Sequence, residues 1–188
     1  MSAHFKAKRL PGPLDDSSLR ELALRYVGKY ATTRAKLRAY LARKLRERGW
    51  KGEGDPDPEA LAERFAELGY IDDAAYALAQ SRDFAARGYG KRRLAQKLRL
   101  AGIEESDGEA AEEHADDQAV AAALRFAERR RLGPFAVAAA DRAAREKWIA
   151  AMIRAGHGFA LARAIATMEP GDEIDMDDLT DRAGISRC

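Results

Sequence analysis

The sequence predicts an all-α protein made of tandem three-helix repeats, three repeats with about nine helices in all, and three observations carry that expectation. A helical phrase recurs: Leu41, Leu45 and Gly49, then Leu94, Leu98 and Gly102, then Trp148, Met152 and Gly156. In each copy two large apolar side chains four apart share one helix face, and a glycine follows where a helix takes a left-handed C-terminal cap. The glycines lie 53 (49 to 102) and 54 (102 to 156) residues apart, enough for a three-helix unit and too much for a helix pair. Finally, Ala, Leu, Arg and Glu dominate, Val, Ile and Thr are scarce, and no segment sustains an alternation of apolar and polar residues, so no β-sheet is expected.

Residues 1–16 read as a flexible basic arm carrying Lys6, Lys8 and Arg9, closed by the cap signals Asp15, Asp16, Ser17 and Ser18. The first repeat, 17–70, opens with a helix bearing Leu19, Leu22, Tyr26 and Tyr30. Its second helix starts near Thr32 or Thr33 and runs to Arg48, with Leu37, Leu41 and Leu45 inward. Outward it shows Arg34, Lys36, Arg38, Arg43, Lys44, Arg46 and Arg48 against the single acid Glu47. A loop over 51–58 holds Gly52, Gly54, Pro56 and Pro58, and a third helix then places Leu61, Phe65 and Leu68 inward and stops at Gly69.

The second repeat, 71–116, follows Tyr70 with Ile71, Asp72 and Asp73, where an aspartate caps a helix running through Tyr76, Ala79 and Phe84 to Gly88. After Tyr89 and Gly90 comes the most basic helix, 91–101, with Lys91, Arg92, Arg93, Lys97 and Arg99 and no acid, while Leu94 and Leu98 face the core. The sign then flips: 104–117 has no Lys or Arg, and its first part reads as linker or at most a short helix. The third repeat, 117–170, starts near Gln118 with Val120, Leu124 and Phe126, and its first helix ends after Arg129, Arg130 and Arg131 at Gly133 and Pro134. A helix over 141–155 sets Trp148 and Met152 one turn apart with Ile149 and Ile153 alongside. The last helix places Phe159, Ala162 and Ile165 inward and stops by Pro170. The acidic tail, 171–188, is expected to be loose, with Ile174, Met176 and Leu179 free to dock.

The 188 residues carry a formal charge of only +2 although 34% are charged, so the placement of each sign matters more than the sum. No apolar run approaches the roughly 20 residues that span a bilayer, and the N-terminus lacks the apolar stretch of a signal peptide. A soluble, cytoplasmic protein without membrane contact is expected, a monomer in solution. Cys188 is the one cysteine, which excludes an internal disulfide. His4, His114 and His157 lack metal-ligand spacing, and no nucleophile sits in a strand–turn–helix context. No metal, cofactor or catalytic residue is expected, and the chain does not read as an enzyme. Gly88-Tyr89-Gly90-Lys91 is too short for a phosphate loop; either the glycines make a turn with Tyr89 packed beside it, or the turn helps an external phosphate or acidic partner to dock.

Two nearly acid-free helices point to a surface that meets phosphates or carboxylates. The candidate contacts are Arg34, Lys36, Arg38, Arg43, Lys44, Arg46 and Arg48 on one helix, and Tyr89, Lys91, Arg92, Arg93, Lys97 and Arg99 at the other. These helices offer few Asn or Gln to read base edges, so single- and double-stranded DNA would be met through the phosphates.

The succession Leu45-Arg46-Glu47-Arg48-Gly49, then Phe65-Ala66-Glu67-Leu68-Gly69-Tyr70-Ile71-Asp72-Asp73, then Tyr76-Ala77 resembles the RecX family of recombination regulators. So does Gly88-Tyr89-Gly90-Lys91-Arg92-Arg93-Leu94 with Lys97-Leu98 and Gly102-Ile103, and Lys147, Ile149 and Gly158-Phe159 look like the family's last repeat. The resemblance implies an elongated, curved array of three-helix repeats that binds the RecA filament on DNA and restrains its ATPase, strand exchange and coprotease functions. The family brings no catalytic residues. The acidic segment 104–117 departs from its pattern. A DNA-backbone-binding repeat protein acting without RecA, or an adaptor for an acidic protein, would use the same basic faces.

Overall fold

A computed structural model describes residues 12–184; residues 1–11 of the basic arm and 185–188 with the terminal cysteine lie outside the described residues. The described residues are all-helical, with ten helices and no strand. They fall into two compact units divided between Asp72 and Asp73.

In the first unit, α1 (Asp16–Val27) begins where the sequence places its cap: Ser18 N–H donates to Asp15 Oδ1 at 2.9 Å while Asp15 N–H donates to Ser18 Oγ at 2.8 Å. These bonds, with Lys51 close by, hold the Asp15 carboxyl at a pKa of about 2. Thr33 caps α2 (Arg34–Arg48), and Asp57 with Pro58 starts α3 (Pro58–Glu67). Leu19, Ala23, Leu37, Leu41, Ala62, Phe65 and Ile71 form the core.

Two expectations fail here. The end of the basic arm is not loose: Leu14 is fully buried in that core, and its backbone bonds Gly49 O at 2.9 Å and Lys51 N at 2.8 Å in an isolated parallel bridge with Trp50. Leu68 is 52% exposed, because α3 stops at Glu67 and the cap residue no longer continues the helical stripe of Leu61 and Phe65.

The second unit contains α4 (Asp73–Ala86), α5 (Lys91–Ala101), α6 (Glu105–Asp117), α7 (Ala119–Arg130), a single 3₁₀ turn at Gly133–Phe135, α8 (Arg142–Arg154), α9 (Phe159–Thr167) and α10 (Met176–Ala183). The acidic segment is therefore a full helix and not a linker. Its buried face is made of small residues, Gly108, Ala111 and Ala115, which let α6 lie close against Ala77, Ser81 and Ala85 of α4. Ser81 Oγ, buried at this contact, donates to Ala111 O at 2.8 Å and lies 2.9 Å from His114 Nδ1. Glu105, Glu109, Glu113 and Asp117 are exposed, and Glu105 and Asp107 favour the first turn of the helix.

The described part of the tail, through Gly184, is ordered as well. Asp175 caps α10 by accepting from Asp177 and Asp178 N–H, and Leu179 is buried beside α7 and α9 with Ile174 packed against the same cluster. This tenth helix extends the expected nine. Met152 of α8 and Leu161 and Ile165 of α9 centre the cluster, with Trp148 partly buried at its side. Phe159 is 55% exposed instead of inward, because Leu161, Ala162, Ile165 and Ala166 make the buried stripe and the first residue of α9 lies off it.

Candidate functional site

The three recurring glycines Gly49, Gly102 and Gly156 all have positive φ; Gly102 takes the left-handed cap geometry, whereas Gly49 combines φ 77° with an extended ψ of 173°. The third does more than end a helix. Gly156 (φ +99°) meets the turn before α5: a Cβ there would stand 2.6 Å from Arg93 N and 2.7 Å from Gly90 O, so no side chain fits. Gly90 N–H donates to Ala155 O at 3.0 Å and Arg92 N–H to Gly156 O at 3.2 Å. The N-terminus of α5, with its partial positive charge, thus abuts the partly negative C-terminal end of α8. His157 lies 2% exposed at this junction with Nε2 3.2 Å from Gly88 O, and burial pushes its imidazole down to about 4 against a weak upward pull from that carbonyl. The Gly-Tyr-Gly turn is a packing junction; two amides that an anion would seek there are already bonded.

Tyr89, held by that turn, forms the floor of a cleft of ≈ 290 Å³. The Arg93 guanidinium lies 4.1 Å from the centre of its ring and that of Arg129 5.9 Å. Arg130 and Arg154 complete the lining with Phe126, Ala151 and Ala155. All four arginines are exposed, and none has a carboxylate partner among the described residues. Such a cluster is held by α5, α7 and α8 together, and its forked donors suit a phosphate or carboxylate group. Arg129, Arg130 and Arg154 were not among the contacts expected from sequence. The signal present was the run Arg129–Arg131, but only packing shows that it meets Arg93.

The remaining expected contacts divide into paired and unpaired groups. Arg92, Lys97 and Arg99 lie exposed on α5 without an acidic partner among the described residues. Lys91 does not join them: its Nζ lies 2.7 Å from Asp116 and 3.3 Å from Glu112 of α6, and the hydrogen bond to Asp116, foremost, raises its pKa. The acids are therefore not kept apart from the basic helices. On α2, Arg34 pairs with Glu63 at 3.2 Å and Arg38 with Glu59 at 2.5 Å, both on α3, while Arg43 and Lys44 each reach Glu47 at 2.6 Å. Arg48 Nε donates to Gly12 O at 2.9 Å, and Lys36 is half-buried. Arg46 is exposed and without an acidic partner among the described residues. Ion pairs as exposed as these are worth about 1 kcal/mol or less each, so an incoming phosphate can displace them.

Residues 72–111 match the family model described as RecX, second three-helix domain, which spans α4, α5 and the first half of α6. A regulatory protein RecX from Myxococcus xanthus is 30% identical over 176 residues, covering 88% of this chain and 92% of its own length. This chain belongs to the RecX family. RecX of Agrobacterium fabrum is also 30% identical, over 84% of this chain and 86% of its own. The crystal structure of RecX from Lactobacillus salivarius shares the fold, with a TM-score of 0.58 at 19% identity over 79% of this chain and 92% of that one. Membership makes the chain a regulatory protein and a helical-repeat protein, as the sequence resemblance implies. No helix among the described residues is long and apolar enough to cross a membrane. Within the RecX family fold, the arginine cleft sits where the matched three-helix domain meets the helices that follow it.

Proposed function

We propose that this RecX family member binds the RecA nucleoprotein filament and restrains its ATPase, strand exchange and coprotease functions, meeting the filament through phosphates or carboxylates. The observation that carries the reading is the cleft of Arg93, Arg129, Arg130 and Arg154 over Tyr89, a concentrated positive site with no internal counter-charge among the described residues. A regulator need only favour one filament state by a few kcal/mol to shift its population decisively. The test is the single-stranded-DNA-dependent ATPase rate of RecA from the same organism at fixed salt. Inhibition well below one molecule per RecA protomer is expected, and Arg93→Glu with Arg129→Glu should raise the amount needed at least about tenfold, a shift of roughly 1.4 kcal/mol. An unchanged ATPase rate together with no co-sedimentation with filaments would overturn the reading in favour of a duplex-binding or adaptor role.

A further inference from the structure

The first unit carries a second cationic cleft of a different character. Arg25, Lys29, Arg43, Lys44 and Arg46 border ≈ 800 Å³ between α1 and α2, and the floor is aromatic. Tyr40 stacks on Tyr26 with ring centres 4.3 Å apart and planes at 17°, and Tyr30 ends the row, 5.4 Å from Tyr26 and tilted by 53°, so its own face is not stacked on the pair. Arg43 and Lys44 stand over the Tyr40 ring at 5.5 and 5.9 Å, and Lys29 over Tyr30 at 5.3 Å. Tyr26 and Tyr40 pack, partly buried, against the core of Leu14, Leu19, Leu37 and Leu41, whereas Tyr30 is outside that cluster and stays 50% exposed. Glu21 and Glu47 temper Arg25, Arg43 and Lys44 from the helix surface but do not line the cleft.

We infer that this cleft binds single-stranded nucleic acid by stacking an unpaired base on Tyr30, at the end of the tyrosine row, while the surrounding cations take the flanking phosphates. The chemistry selects that partner over the others that positive charge alone would attract. In a duplex each base face is already covered by its neighbours, so a protein ring can stack only where the strand is single. An acidic peptide would use the cations but gain nothing from the electron-rich faces of the rings. Every base has a π-face, so binding here is tolerant of sequence. Lys29 exchanges its contact with the ring for a phosphate. The inference rests on the nucleic-acid half of the function proposed above and is independent of RecA.

The experiment measures the anisotropy of a labelled oligothymidylate of about 12 nucleotides with the full chain, beside an abasic strand of equal length and polyglutamate as competitor. Wild type should prefer the base-bearing strand. Tyr30→Ala should weaken that binding by roughly 5- to 150-fold and abolish the preference, with the salt dependence unchanged. Tyr30→Phe should bind as wild type, and Tyr30→Leu, which keeps the apolar bulk and lacks the ring, should behave as the alanine variant. Equal affinity for the base-bearing and abasic strands overturns the inference, as does undiminished binding by Tyr30→Ala and Tyr30→Leu, or polyglutamate displacing the strand as well as oligothymidylate does. Failure to inhibit the RecA ATPase, with stacking intact, would overturn the earlier reading and leave this one standing.

Discussion

His157 should make the second unit lose stability in mild acid. Its imidazole is buried against Gly88 O and titrates near 4 in the folded chain, against 6.5 when unfolded. Between those values the unfolded chain binds a proton that the folded chain refuses, so stability falls as the pH drops and is fully present above about pH 6.5. Integrating the two titrations gives a loss of about 2 kcal/mol between about pH 7.5 and about pH 5, rising to about 3 kcal/mol near pH 4. Asp15 does not interfere: its lowered pKa acts in the other unit, and its contribution fades only as the pH falls below the ordinary aspartate range toward about 2. The assay is urea unfolding followed by Trp148 in a Trp50→Phe background, which leaves one of the two indoles as the reporter of the second unit. His157→Gln keeps an N–H for the Gly88 carbonyl and removes the titration. It should lose about 2 kcal/mol less than the parent across that pH interval. Equal losses in the two proteins would mean that His157 is not the group that titrates.

Two further predictions concern the α5 surroundings. Gly156→Ala forces a Cβ against the Arg93 backbone at positive φ and should cost roughly 2–4 kcal/mol by the Trp148 unfolding midpoint. Gly158→Ala, where nothing lies within 4 Å, alters only the N-cap of α9 and should cost about 1 kcal/mol or less. Lys91→Ala breaks its pairs with Asp116 and Glu112 for a loss of about 1 kcal/mol or less. In the ATPase titration it should weaken inhibition less than Arg93→Ala does, because Lys91 is already occupied; the reverse order would move the contact surface away from the Tyr89 cleft.

Helix type and position were legible because each rests on local chemistry. Asp15 and Thr33 cap the helices beside them, and the leucines at 37 and 41 and at 94 and 98 mark buried faces by spacing alone. The acidic helix α6 was obscured because its buried face is Gly108, Ala111 and Ala115, which carry little apolar signal and matter only when α4 offers an equally small face. The order of the two ends was hidden for a similar reason: Leu14 is an isolated apolar residue in polar surroundings, and Ile174 and Leu179, which the sequence offered only as residues free to dock, become structural through the cores that receive them.

Which residues are cationic, which glycines end the helices and which family the repeats resemble all follow from the order of residues alone, since composition, periodicity and motif order are properties of one dimension. Which of those charges are available depends on how the helices pack. Glu59 and Glu63 reach Arg38 and Arg34 across a helix pair, Asp116 and Glu112 occupy Lys91, and Arg129, Arg130 and Arg154 gather at Arg93 from distant parts of the chain. Coulomb attraction and hydrogen bonding act through space over a few ångströms, and residues dozens of positions apart become neighbours only when the helices pack.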